Sequence, residues 1–186
     1  MKSKAEIIRG RLAGLRVLDI GGAGFGADNP YERELRAAWR MAARRVTVDC
    51  SPQADVQADL NRPPLPDLSA RGPWDVVTFF DVLEHLEHPV DVLRWAPANR
   101  ALVSFPNACS PLARRMESQG RMNHLYSFTP YTAGRLLAQA GWTVCGVSFV
   151  MGKWSPLARL LNRVGSAWPT AVATGIVVDA ERSRGG

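Results

Sequence analysis

The chain is poor in cysteine and has no long apolar run, and each shortage removes a class of protein. Its three cysteines, Cys50, Cys109 and Cys145, are widely spaced and form no Cys-x-x-Cys pair. That spacing suggests neither a disulfide framework nor a zinc site, and the three are read as reduced packing residues. No apolar stretch reaches the roughly 18 to 20 residues needed to span a bilayer, and the polar start Met1-Lys-Ser-Lys4 lacks the apolar segment of a signal peptide. The expected location is the cytoplasm. Internal repeats and a second-domain linker are also missing, so residues 1–186 are expected to form one domain. Residues 181–186, without apolar anchors, read as a disordered tail.

A concentrated basic tract is absent too. The formal charge of +6 comes almost wholly from arginine, scattered as Arg33/Arg36/Arg40, Arg44/Arg45, Arg114/Arg115 and Arg159/Arg163. Without aromatic residues interleaved among the basic ones, no nucleic-acid partner is expected. What remains, 46% hydrophobic and 22% charged residues, is the composition of a globular domain with a substantial core.

Strand-like and helix-like runs alternate along the chain, which predicts a mostly parallel sheet with helices on both faces. A helix at Ala5 to Leu12 precedes a strand at Arg16 to Ile20, and Asn29-Pro30 starts a helix over Tyr31 to Ala43. Strands follow at Val46 to Asp49, Asp55 to Ala58 and Trp74 to Phe80. Next come a helix at Pro89 to Trp95 and a strand at Ala101 to Phe105. Residues 107–128 show no clear periodicity and read as a lid or binding loop. Thr129-Pro130 then opens a helix that Gly141 stops. Strands at Trp142 to Val150 and Ala171 to Asp179 flank a helix at Pro156 to Val164, making seven strands in all.

The most informative segment is Arg16-Val-Leu-Asp-Ile-Gly-Gly-Ala-Gly-Phe-Gly26, a buried strand running into a glycine cluster. Open α/β sheets bind ligands at the carboxyl ends of their strands, and glycines allow close backbone approach. Gly22, Gly24 and Ala27 fit the dinucleotide fingerprint Gly-x-Gly-x-x-Gly/Ala only weakly. Asp19 argues against it, because a carboxylate beside the glycines would repel a pyrophosphate and favour a cationic ligand. S-adenosylmethionine has a sulfonium, an α-ammonium and no phosphate.

Several further segments fall in a telling order. After Val17-Leu-Asp-Ile-Gly-Gly-Ala-Gly-Phe-Gly26 come Val46-Thr-Val-Asp49, Ala58-Asp-Leu60 and Trp74-Asp-Val-Val-Thr-Phe-Phe-Asp-Val-Leu-Glu-His-Leu86. Then follow Val103-Ser-Phe-Pro-Asn107, His124-x-x-x-Phe-Thr129 and Ala140-Gly-Trp142. Together they resemble class I S-adenosylmethionine-dependent methyltransferases, of the small kind built around an Asp-Val-Leu-Glu-His motif.

The resemblance implies a doubly wound, Rossmann-like α/β fold with a seven-stranded sheet, mostly parallel with an antiparallel last strand. It also implies S-adenosylmethionine as cofactor. Asp19, Gly21, Gly22 and Gly24 would form the first motif, Asp49 would hold the ribose with Cys50 beside it, and Asp59 and Leu60 would flank the adenine. Asp81 and Val82 would lie beside the methionine and adenine portions. The commoner family spacing puts glycines at positions 21, 23 and 25, where this chain has Gly21, Ala23 and Phe25, so which glycine faces the cofactor stays open.

On the acceptor side, Glu84, His85 and His124 are the candidate catalytic groups, able to take a proton from a hydroxyl during attack. Asp81, Glu84, His85 and His88 have spacings that could converge on a divalent ion, as an acid-rich version of the motif does in related ubiquinone-pathway O-methyltransferases. Metal-free relatives share the spacing, and no metal is expected. Arg114, Arg115 and Arg121 could recognise an anionic group on a small-molecule or saccharide-type acceptor. The stripe Trp154, Leu157, Leu160, Leu161, Val164 and Trp168 reads as a helix covering the sheet edge, with membrane-surface contact through residues 154–168 the lesser alternative. A second reading of the whole chain is a non-catalytic module of this fold that serves as a regulator or partner.

Overall fold

The computed structural model describes residues 3–23, 36–119, 123–150 and 173–183. Seven strands form one sheet in the order β3-β2-β1-β4-β5-β7-β6. The strands are β1 (Arg16–Ile20), β2 (Arg44–Asp49), β3 (Val56–Gln57), β4 (Val76–Phe80), β5 (Arg100–Pro106), β6 (Trp142–Val150) and β7 (Gly175–Arg182). The first five pair in parallel, and β7 alone runs antiparallel to both of its neighbours. The expected sheet, mostly parallel with an antiparallel last strand, is therefore what the chain forms.

Burial on both faces follows from period-two alternation along each strand. Leu18, Ile20, Val77, Phe79, Ala101, Val103 and Phe105 belong to the larger core, which α2 (Pro89–Trp95) and α4 (Pro130–Gln139) cover through Val92, Leu93, Ala133, Leu136 and Leu137. Val17, Val76, Phe80, Leu102 and Val177 point to the other face, against Ile8 and Leu12 of α1 (Lys4–Leu12) and against Trp39. Asp19, Thr78 and Ser104 alternate onto that second face and are all buried. A polar row thus crosses the sheet inside a hydrophobic layer.

Helix ends obey local rules. Ser3 and Glu6 form a reciprocal capping box at α1, satisfying amide donors that the first turn leaves unpaired. Thr129 caps α4 with Pro130 in its first turn, and Gly141, at φ +80°, follows its C-cap Ala140.

The structure corrects several sequence expectations. Residues 107–128 are not uniformly irregular, because α3 (Pro111–Ser118) lies within them, begun by Pro111 directly after buried Ser110. All three cysteines are exposed rather than packed.

The proposed tail is ordered through Arg182, since β7 starts later and ends later than expected. Its start is set by close packing, where a Cβ on Gly175 would lie 2.9 Å from Val150 Cγ2. Its end is held by a cation in place of an apolar anchor. Arg182 donates to the carbonyls of Leu93, Arg94, Ala96 and Ala140 at 2.8–3.3 Å and lies over the Trp142 ring, 4.2 Å from its centroid. It therefore satisfies carbonyls at the C-terminal ends of α2 and α4.

The expected helix from Tyr31 is described only over residues 36–39, which are helical, and its start lies outside the described residues. The expected helix Pro156 to Val164, the 154–168 stripe, Arg121 and Gly24 also lie outside them. Among the described residues no helix is long and apolar enough to cross a membrane.

Candidate functional site

The strand order reverses between β1 and β4, because the chain proceeds from β1 outward to β2 and β3 and then returns to the other side of β1. Loops leaving two neighbouring strands in opposite directions open a crevice at their carboxyl ends, where sheets of this type bind ligands. The topology brings four segments to that edge: Gly21–Ala23 after β1, Asp49 and Cys50 at the end of β2, Asp81–His85 after β4, and Asn107 after β5.

The β1 turn is dictated by crowding. Gly21 has φ +73°, a left-handed conformation that penalises a side chain, and a Cβ there would collide with the Val82 side chain. A Cβ on Gly22 would collide with Asp19 Oδ2 and reach within 2.9 Å of Arg45 Nη2. Both glycines are thus required where they stand, and Val82 is seated against Gly21, bridging the tips of β1 and β4.

Asp19, the acid beside the glycines, is held inside the sheet. It is fully buried, with Oδ2 accepting from Arg45 Nε and Nη2 at 2.9 and 2.5 Å and Oδ1 accepting from Thr78 Oγ1 at 2.6 Å. Burial pushes its carboxyl above the usual carboxylate range, while the Arg45 charge and the Thr78 hydroxyl pull it back. Arg45 also donates to the Gly22 carbonyl at 3.0 Å and stacks over Trp39, 4.6 Å from the ring centroid. The pair locks the glycine turn to the sheet, and its charges are spent on each other.

Asp49 is the acid that reaches the glycine turn from the other side. Its Oδ2 accepts from the Ala23 amide at 3.1 Å, and its Oδ1 accepts from the Ser51 amide at 2.9 Å and the Cys50 thiol at 3.4 Å. Hydrogen bonding to Asp49 and burial together raise the Cys50 thiol above its ordinary pKa. Beyond β3, Leu60 is buried while Asp59 is half exposed, capping the Asn61 amide and pairing with Arg62 at 3.2 Å.

At the β4 tip Asp81 has φ +52°, a conformation uncommon for a residue other than glycine. Its side chain is fixed by Ser104 Oγ, which donates to Oδ1 at 2.9 Å, and by an ion pair with Lys4. Lys4 is itself buried and donates to Ser104 Oγ at 2.8 Å. Neither Lys4 nor Arg45 stood out in the sequence. The Ser3-x-x-Glu6 spacing, a capping box, was the available signal that the chain's start is ordered enough to deliver Lys4.

The next turn, Leu83–His85, is a short 3-10 helix in which Leu83 and Glu84 are fully buried. Segment 123–126 folds onto it. Leu125 and Tyr126 amides donate to the Glu84 carbonyl at 2.8 and 3.2 Å, His85 Nδ1 lies 3.2 Å from the Asn123 carbonyl, and the Tyr126 hydroxyl donates to the Glu87 carbonyl. The His85 and His124 rings meet edge to face with centroids 4.8 Å apart. The structure therefore unites Glu84, His85 and His124. His88 instead precedes α2, exposed, and Asp81 is engaged by Lys4 and Ser104.

Asn107 is fully buried and structural in its contacts, donating to the Ala173 carbonyl at 2.8 Å while its Oδ1 receives the Cys109 amide. Arg114 and Arg115 are exposed on α3.

No family model and no curated protein matches the chain. Solved structures do resemble its fold. An S-adenosylmethionine-dependent methyltransferase from Archaeoglobus fulgidus aligns at TM-score 0.60 and 17% identity, over 96% of this chain and 95% of that one. Another from Mesorhizobium loti aligns at TM-score 0.57 and 18% identity, over 96% and 95%. The 1,6-didemethyltoxoflavin-N1-methyltransferase of Burkholderia thailandensis, solved with its substrate and S-adenosylhomocysteine, aligns at TM-score 0.60 and 19% identity, over 97% and 76%. At these identities the likeness is one of fold.

Proposed function

We propose that the protein is an S-adenosylmethionine-dependent methyltransferase acting on the oxygen or nitrogen of a small-molecule or saccharide-type acceptor. The observation that carries this reading is the pairing of Asp49 with the glycine turn at the switch point. A carboxylate has about four lone-pair sites, and the Ala23, Ser51 and Cys50 donors take three. Acceptor capacity remains for a ribose hydroxyl at the crevice. Arg45, the cation bonded to the turn, is engaged by Asp19 and by the Gly22 carbonyl and is not offered to a phosphate. Both features favour a phosphate-free nucleoside ligand over a dinucleotide.

When bound, S-adenosylmethionine supplies an activated methyl carbon for in-line displacement. The residues of this chain then have to align, enclose and handle a proton. Gly21 and Gly22 let the backbone approach, Asp49 holds the ribose with Cys50 beside it, Asp59 and Leu60 receive the adenine, and Val82 walls the space between. Asp81, held by Lys4 and Ser104, faces the methionine portion. Glu84, His85 and His124 lie on the acceptor side, where an imidazole can accept a hydroxyl proton. Arg114 and Arg115 on α3 suit an anionic acceptor.

Calorimetric titration with S-adenosylhomocysteine and with NAD tests the cofactor. The first should bind and Asp49→Ala should weaken it at least tenfold; binding of NAD alone would overturn the reading. Release of S-adenosylhomocysteine with an acceptor from a metabolite panel tests the reaction. Tight cofactor binding without turnover across broad panels would favour the non-catalytic module instead.

A further inference from the structure

Glu84, His85 and His124 each place one potential ligand atom within 4.8 Å of the other two, although His124 comes from a different segment of the chain. We propose that these three side chains form a binding site for one divalent transition-metal ion of zinc-like preference. The ligand set differs from what spacing along the chain suggested, because the structure substitutes His124 for Asp81 and His88.

Three observations converge. The first is donor chemistry, since two imidazoles and one carboxylate suit a borderline ion better than a hard one such as magnesium. The second is the hydrogen bond behind His85. The Asn123 carbonyl, 3.2 Å from Nδ1, can only accept, so Nδ1 is the donor in this contact and Nε2 is the ring nitrogen left to face an ion. A backbone carbonyl behind a ring nitrogen is the arrangement that orients metal-binding histidines.

The third observation is rigidity. Glu84 and His85 share one tight turn, and the amides of Leu125 and Tyr126 tie the His124 segment to the Glu84 carbonyl at 2.8 and 3.2 Å. Donors about 2.1 Å from a common tetrahedral ion lie roughly 3.4 Å apart. Closing the cluster therefore takes side-chain shifts on the order of 1 Å, within the reach of small χ adjustments.

Glu84 is fully buried, so few water molecules compete with the ion for its carboxylate. Three protein ligands leave coordination positions open, as in catalytic rather than structural sites. An imidazole lone pair given to an ion would not be available as a base. The site rests on its donors and their geometry and stands whether or not the proposed methyl transfer does.

The test is titration of the full chain, stripped of metal by chelator, with Zn2+ by calorimetry and with Co2+ by its visible absorption. A background carrying Cys50→Ser, Cys109→Ser and Cys145→Ser removes the exposed thiols as competing ligands. One equivalent should bind, with Co2+ giving d–d bands of a nitrogen and oxygen environment. His124→Ala and His85→Ala should each weaken Zn2+ at least tenfold, whereas His88→Ala should leave the affinity unchanged. Because Glu84→Gln alters a buried group, the two histidine variants carry the test. The proposal is overturned if neither metal binds, if binding survives both histidine variants, or if His88→Ala removes it equally.

Discussion

Replacing Arg45 with methionine isolates the interaction that locks the glycine turn. The substitution keeps an unbranched stem of similar reach but removes two charge-assisted hydrogen bonds to Asp19, one bond to the Gly22 carbonyl, and the stacking on Trp39. Thr78 remains as a hydrogen-bond partner of a carboxylate whose side chain is only 1% exposed. Stranding one member of a buried ion pair costs about 3–5 kcal/mol. The lower end applies here, since Arg45 is 28% exposed and water can partly replace it. For a chain of this size about 3 kcal/mol corresponds to a fall in Tm of roughly 6–12 °C.

The effect carries a pH signature. A carboxyl whose folded-state pKa exceeds its unfolded value binds more protons when folded, so its ionisation removes stability as pH rises from the unfolded value of 3.8 through the folded one. Without Arg45 the folded value rises further. The deficit of Arg45→Met should therefore be largest at neutral and alkaline pH and shrink toward about pH 4. Urea unfolding of the single variants Arg45→Met and Asp19→Asn and of their double variant, at acid and neutral pH, measures this. If Arg45→Met costs as much in the Asp19→Asn background as in the parent, the two residues are not coupled and the account of the turn is wrong.

Three further outcomes follow from the same geometry. Gly22→Ala should lower Tm and weaken S-adenosylhomocysteine together, because its Cβ must displace Asp19 from Arg45; parent-like values for both would show the turn to be adaptable. Arg182→Ala should cost about 2–3 kcal/mol in urea unfolding, since it removes bonds to carbonyls of α2 and α4 and the contact with Trp142, and a loss under about 0.5 kcal/mol would mean that water substitutes freely. Asp75 is held down to about 2 by hydrogen bonds from the Arg16 guanidinium and amide. Its stabilising contribution is complete above its unfolded pKa of 3.8 and is lost as pH falls through about 2. Carboxyl-carbon NMR should show Asp75 titrating at about 2, and a midpoint near 3.8 would exclude the pairing.

The sheet was legible because its strands carry their own signals. Val17-Leu18, Val76–Phe80 and Ala101–Phe105 are apolar runs bounded by glycine, proline or acid, and burial on both faces of a parallel sheet demands such runs. Pro130 and Gly141 marked α4 for reasons that are local to the backbone. The α3 helix was missed because its one-sided pattern spans barely two turns inside an irregular segment. The anchoring role of Arg182 is not legible in the sequence, because a guanidinium can satisfy several carbonyls at once without any apolar signal.

The sequence by itself determined the strand and helix types, the glycine turn after β1, and the acids standing at successive strand tips, because short-range sterics and hydrophobic period fix all three. Tertiary structure decided what each acid touches. The parallel register brings β2 and β4 alongside Asp19, placing Arg45 and Thr78 against its carboxylate, while Asp49 accepts from the Ala23 amide of the glycine turn. Likewise only folding could deliver Lys4 to Asp81, or His124 to Glu84 and His85. Pairings between distant segments depend on strand order and helix packing, and one-dimensional spacing does not record either.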